Sequence, residues 1–387
     1  MVEHLRYLSL LLLQCAWQSA QAQDAELENE ELDRQIAAIE KELMEEISVW
    51  NFSSNLRLGG GYKENVTLSA FAEESSPFGA TGLDFMAIRV PLAEDGLEVT
   101  VYGALDDRRY LDAETVDREQ TGLINVNLEK PLAESWSIET DIRVIYIDEI
   151  FDASLTEDDI GTVQVVGKQI SLEPALRRDL PGNTWIEARP EVTRQYFAEP
   201  LDDYLVYKRQ VSVGVDYGYQ SELSLYAEIL RRDYDTRSQR DEIGFYMPDT
   251  DLNYDRPEQG VEWTHYWDSE RRIRMRTRWS ILENNDSGSG YFDYQRERVS
   301  HGWRFRGEAW SLAATVRKST YAYDLQRSAD FLSLRQRADL SCDISIDYEY
   351  NDQLTFQLGF EQESINSNVP QDEYRYRVYT AGIDWEF

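Results

Sequence analysis

From about Trp50 to Phe387 the chain alternates apolar and polar residues with a period of two, and so long a stretch of that pattern folds as antiparallel sheet or not at all. Leu97, Val99, Val101, Gly103 and Leu105 alternate with Glu98, Thr100, Tyr102, Ala104 and Asp106. The pattern returns in Ile124-Val126-Leu128, Ile138-Thr140-Ile142-Val144, Val211-Val213-Val215-Tyr217, Leu223-Leu225-Ala227-Ile229, Leu312-Ala314-Val316, Leu340-Cys342-Ile344-Ile346 and Leu354-Phe356-Leu358-Phe360. Two architectures satisfy it. One is a soluble sandwich with one face of each sheet in a core; the other is a closed barrel with hydrocarbon on one side and water on the other.

The connections separate the two. Short turns at Ala93-Glu94-Asp95-Gly96, Ala133-Glu134-Ser135, Pro181-Gly182-Asn183, Tyr219-Gln220-Ser221, Asp268-Ser269-Glu270, Gly307-Glu308 and Asn351-Asp352 alternate with longer polar loops, the first from Lys63 to about Gly79. That rhythm predicts an all-β, antiparallel transmembrane barrel of about 16 strands over 50–387, with the turns at one rim and the loops at the other. No apolar run approaches the roughly 20 residues that a spanning helix requires, and a barrel needs none.

The last strand carries the most specific signal. Tyr379, Ala381, Ile383, Trp385 and Phe387 alternate to the final aromatic, which resembles the terminal strand of bacterial outer-membrane β-barrels. The resemblance implies an outer-membrane location and recognition of Tyr379, Ile383, Trp385 and Phe387 by the barrel-assembly machinery. With 24 Tyr and 10 Trp the chain can also supply interfacial aromatic girdles. Candidates near strand ends are Tyr217, Trp263, Trp267, Trp279, Trp303 and Trp385.

Residues 1–22 read as a cleavable export signal, with Arg6, an apolar stretch from Tyr7 to Leu13 and the small-x-small pattern Ala20-Gln21-Ala22. Cleavage there removes Cys15, leaving Cys342 without an intrachain partner. Residues 23–49 form an acidic segment in which Leu32, Ile36, Ile39, Leu43 and Ile47 share one helical face. Three readings stay open for it: a periplasmic coiled coil setting a homotrimer or other partnership, a helix docked in the barrel mouth, or a spacer.

Charge narrows the partners. A formal net charge of -34 disfavours nucleic acid, whose binding depends on Lys and Arg neutralising phosphates. Outer-membrane lipid and small hydrophilic solutes are the expected partners, with no cofactor. If apolar positions face lipid, alternation turns Arg272, Arg274, Arg276 and Arg278 inward as one column, joined by Arg298, Arg304, Arg306 and Arg317 on the next two strands. In a ring of about 16, the opposite strands carry Glu98, Asp106, Glu129, Glu139 and Asp141 inward. Such an arrangement resembles the constriction of general diffusion porins and implies a transverse field acting on passing solutes. The alternative is a lattice in which the arginines pair with neighbours such as Glu262, Glu297, Asp339 and Asp343 in a plugged barrel.

Other chemistry has thin support. Asp249, Asp251, Asn253 and Asp255 resemble the opening of a calcium-binding loop, but Tyr254 stands where glycine is needed and Gly260 where a bidentate Glu belongs. Past the signal only His265 and His301 remain, both in lipid-facing register, so an enzyme is not expected. A barrel phospholipase would need His301 beside Ser280 or Ser319 on the outer wall. The glycine-rich start Gly59-Gly60-Gly61-Tyr62-Lys63-Glu64-Asn65-Val66 resembles the first strand of surface lipoprotein assembly modifiers and exopolysaccharide exporters. It implies an export or surface-assembly role as the alternative to a passive porin-like channel, and a non-conducting envelope or adhesion barrel is a third reading.

Overall fold

The structure, a computed structural model, describes residues 48–91, 93, 96–152 and 162–387. The export signal and the acidic helix, with the oligomeric partnership expected of it, lie outside the described residues. The strands are β1 (Ser48–Glu64), β2 (Ser76–Pro91), β3 (Glu98–Tyr110), β4 (Arg118–Ala133), β5 (Trp136–Asp152), β6 (Thr162–Leu180), β7 (Thr184–Phe197) and β8 (Tyr204–Tyr217). They continue as β9 (Ser221–Tyr234), β10 (Asn253–Tyr266), β11 (Ile273–Asp286), β12 (Tyr294–Arg306), β13 (Trp310–Arg327), β14 (Leu334–Asn351), β15 (Leu354–Ser367) and β16 (Tyr374–Glu386). Each pairs with its sequence neighbours, and the ring closes through β1 and β16, giving the expected 16-stranded antiparallel barrel.

Closure removes both sheet edges, so the strands pair their backbone groups with neighbours on both sides. At the seam Gly59 lies opposite Gly382 and Gly61 opposite Thr380. A Cβ on Gly61 would collide with the Tyr379 carbonyl and the Phe78 ring, so the glycine run admits close backbone approach. The turn signals fall where the chain reverses at one rim: 134–135, 181–183, 218–220, 267–272, 307–309 and 352–353. The other rim carries the longer connections, up to 235–252. The first loop is shorter than expected, because β1 runs on to Glu64 and β2 begins at Ser76.

The outer wall decides the solvent. Leu105, Val211, Leu225, Ile229 and Leu358 are 50–61% exposed, and such residues recur around the ring. Each would gain on the order of 1.5–3 kcal/mol on leaving water, so a continuous apolar belt of this kind belongs in lipid. Near the turn rim Tyr217, Trp263, His265, Trp267 and Trp303 cluster on the outside; Trp263 Nε1 donates to the Tyr217 hydroxyl, and Trp267 stacks on Trp303. Trp279, expected in this girdle, stands mid-strand on β11 and donates to Glu297. Glu297 is therefore on the outer wall, and cannot serve the lumenal lattice for which it was a candidate.

The packed core is inside the loop half of the lumen. Tyr234, Tyr254 and Phe292 form one cluster with Leu252; Leu282, Tyr294, Tyr321 and Tyr323 form another. Guanidinium groups cover these rings, Arg335 over Tyr323 at 4.7 Å and Arg232 over Tyr204 at 4.3 Å. Asp293, in the loop joining β11 to β12, is pushed up to about 6 by burial, with the Asp286 and Asp324 carboxylates adding to the rise against a hydrogen bond from the Asp286 N–H. A raised carboxyl favours the folded loop only while protonated, so loop stability falls as pH rises from about 4 to about 6. Hydrogen exchange across 287–293 is expected to be faster at pH 7.5 than at pH 4.5, after correction for intrinsic rates. Asp293→Asn should flatten that dependence; an unchanged profile would refute the assignment.

Candidate functional site

Register fixes what faces the lumen. On β11, Arg274, Arg276 and Arg278 point inward and pair laterally with Arg304, Gly302 and Ser300 of β12, which in turn meet Ala313, Thr315 and Arg317 of β13. With Arg298, Ser345 and Asp347 they line a cavity of about 690 Å³ in the half of the lumen nearer the turns. Six of the eight arginines expected in the wall are thus brought together. Arg272 is not among them, because β11 begins at Ile273 and leaves Arg272 in the turn, ion-paired with the exposed Glu270. Arg306 ends β12, beside the turn.

Wall and lattice readings each hold for part of the set. Arg276 pairs with Glu262, Arg278 with Glu258 at 3.4 Å, and Arg298 donates to Ser319 Oγ at 3.1 Å. Glu258 also takes Arg296 at 2.8 Å. Arg274, Arg304 and Arg317 make no ion pair with any described carboxylate, although Arg274 and Arg304 stand directly opposite one another. Two like charges held side by side, with Asp347 in the same lining but ion-paired to neither, favour an anion beside them.

The carboxylates occupy the opposite arc. β12 and β4 are eight positions apart in the ring of 16, and Glu98, Glu129 and Glu139 form a lateral row across β3, β4 and β5. Asp141 lies one inward step further and accepts from Asn127 at 3.1 Å. Arg189 reaches in to Glu139 at 3.0 Å and Glu173 at 3.3 Å, so this arc is partly compensated. Asp106 departs from the expected row: it lies toward the loop end of β3 and pairs with Arg57 at 3.0 Å.

A feature that alternation did not reveal crosses the lumen. Arg337 of β14 pairs with Asp152 of β5 at 2.8 Å, and both side chains are nearly buried. The two strands are seven positions apart around the ring. A cylinder of this strand number is roughly 30 Å across, so the outer end of β5 must lean far over the interior to reach β14. Ile150 packs with Leu68, Ile365 and Tyr374 in the same place. Close by, Lys63 of β1 binds Glu119 of β4 at 2.8 Å, and Tyr110 donates to Glu119. The loop half is consequently narrowed by paired charges and rings.

The remaining candidates are dispersed. Asp249 and Asp251 lie in the loop before β10 and Asn253 and Asp255 on β10 itself; no group of metal-binding side chains gathers there or elsewhere among the described residues. His301 faces outward and bonds Thr277 Oγ1, whereas Ser280 is buried and Ser319 accepts from the lumenal Arg298, so neither serine stands beside it. The Ser–His contact present is Ser221 Oγ with His265 Nδ1 at 3.2 Å, but Ser221 is fully buried under the girdle and accepts the Tyr266 N–H.

An apolar exterior, a closed 16-stranded wall and a charged lumen define a membrane-spanning β-barrel. No family model matches the chain, and no curated protein matches it. Among solved structures it is similar to the outer membrane protein OprD of Pseudomonas aeruginosa, 12% identical over 87% of this chain and 94% of that one, with a TM-score of 0.44. It is also similar to OccAB3 of Acinetobacter baumannii, 10% identical over 87% and 99% at 0.45, and to an anion-selective porin from Comamonas acidovorans, 9% identical over 88% and 100% at 0.43.

Proposed function

We propose that the chain is an outer-membrane, porin-like channel that passes small hydrophilic solutes passively. The observation that carries this reading is the cavity in which Arg274, Arg304 and Arg317 make no ion pair with any described carboxylate while Glu98, Glu129 and Glu139 occupy the opposite arc. Solutes with separated charges align in such a field, and apolar ones displace water from the charged walls without replacing its hydrogen bonds. Purified full-length protein in planar bilayers should give stable conductance steps with a reversal potential in asymmetric salt. Silence of the wild type would overturn the channel reading.

The Arg337–Asp152 pair favours a second reading, an export or surface-assembly barrel shut at rest. Silence of the wild type together with conduction by Arg337→Gln would select it. The last strand is the proposed assembly signal; Phe387 there is exposed and its N–H donates to the Ser54 carbonyl across the seam. If the assembly machinery reads that aromatic, Phe387→Ala should lower the heat-modifiable, membrane-inserted fraction several-fold in cells while detergent refolding in vitro is spared. Equal insertion of both forms would remove this role.

A further inference from the structure

We propose that Gly302 is the floor of a lumenal binding site for a solute that carries a tetrahedral dianionic group, phosphate or sulfate in type; this deepens the channel reading above and rests on it for the route by which the solute arrives. Gly302 stands on the inward face of β12, between Arg276 of β11 and Thr315 of β13. A glycine inside a strand weakens it, and marks a bulge, a close backbone approach or a place where a ligand comes near. Pairing runs through Gly302 on both sides without a shift of register, so there is no bulge. Its backbone lies outside the left-handed region, and a Cβ added to it would meet Thr315 Oγ1 at 3.4 Å and no backbone atom closer than 3.8 Å. Neither conformation nor packing asks for glycine here, which leaves the ligand.

Around this bare position the wall is made of donors. Five of the eight inward neighbours are arginines: Arg274, Arg276 and Arg278 on β11, Arg304 on the same strand and Arg317 on β13. Two more are the hydroxyls of Ser300 and Thr315, and none of the eight is a carboxylate. Glu262 balances Arg276 and Glu258 balances Arg278. That leaves Arg274, Arg304 and Arg317, one on each of three adjacent strands, with no ion pair to any described carboxylate. Asp347 lines the same cavity but accepts from Ser311 Oγ at 2.9 Å. A carboxylate offers two oxygens along one edge, enough for one guanidinium fork. A phosphate or sulfate group offers oxygens in several directions and a second charge, so all three strands have an acceptor to meet. The cavity, about 690 Å³, is of the size that small-molecule sites have, roughly 300–1,000 Å³, and holds the remainder of a small solute as well.

The test uses the full chain in detergent, checked for folding by heat-modifiable mobility, with isothermal titration of inorganic phosphate, sulfate and acetate at pH 8. The wild type should bind phosphate and sulfate about tenfold more tightly than acetate, which makes at least one charged contact fewer. G302A should bind like the wild type, since a lone Cβ has room; G302L, whose branches cover the floor, should bind phosphate about tenfold more weakly. G122L, a like change at a glycine on the outer wall of β4, should lose nothing. R317Q tests the same site without filling it, and should also weaken phosphate about tenfold. Equal affinity of the wild type for phosphate and acetate, or wild-type phosphate binding by R317Q and by folded G302L, would overturn the site. In planar bilayers phosphate should block the chloride current of the wild type in a saturable way. A silent wild type that still binds phosphate sinks the channel reading and not the floor, whereas a steady chloride current with neither block nor heat of binding sinks the site alone.

Discussion

Neutralising Arg274 and Arg304 together is expected to lower the anion-to-cation permeability ratio about fivefold, given that clustered charges in a narrow lumen set potentials of several kT. The two guanidinium groups face each other across β11 and β12 with no ion pair to any described carboxylate, so Asp347 in the same lining offsets their field only in part. Arg276→Gln should do much less, because Glu262 already balances Arg276. Reversal potentials in a tenfold salt gradient measure the ratio directly. If R274Q/R304Q leaves that potential where the wild type has it, the cavity does not control selectivity. Raising ionic strength should compress the difference between variant and wild type, since exposed charges are screened over about 8–10 Å at physiological salt.

The second large effect belongs to the cross-lumen pair. Arg337→Gln removes one cation from the nearly buried Asp152, a loss of up to about 3–5 kcal/mol for a buried ion pair broken on one side. Relief comes by swinging the end of β5 back toward the wall, so single-channel conductance is expected to rise roughly twofold as the narrowest section widens. The double variant D152N/R337Q removes both charges and should be less destabilised than R337Q alone, because no buried charge is stranded. A thermal unfolding cycle over the four forms gives the coupling. Additive effects, together with wild-type conductance in R337Q, would show that the end of β5 is held by something else.

Most of the wall was legible because a barrel strand obeys one local rule. Inward and outward positions alternate, so Arg274, Arg304 and Arg317 could be placed on the lumenal face from β11, β12 and β13 alone. The rule failed at strand ends: Arg272 keeps the parity of its column but lies past the last paired residue, where the turn takes it out of the lumen. Glu297, a candidate partner for the inward arginines, has the parity that puts it outside with Trp279.

Contacts across the ring were not legible at all. Nothing near Asp152 marks it as a partner of a residue 185 positions away, and alternation says which face a side chain takes but not how far a strand leans. Pattern therefore located the surfaces, whereas the constriction depends on tertiary reach.

The glycine seam bears on how the molecule comes together. β1 and β16 are the most distant strands in sequence, and their pairing requires the largest loop to be closed before any contact rewards it. Where Gly59, Gly60 and Gly61 face Gly382, Ala381 and Thr380 the join depends on main-chain bonds, and side chains add to it beyond, where Arg377 pairs with Glu64 at 3.1 Å. A late-forming joint with a stretch of bare backbone thus relies on the charged clasp beyond it to hold the two strands in register.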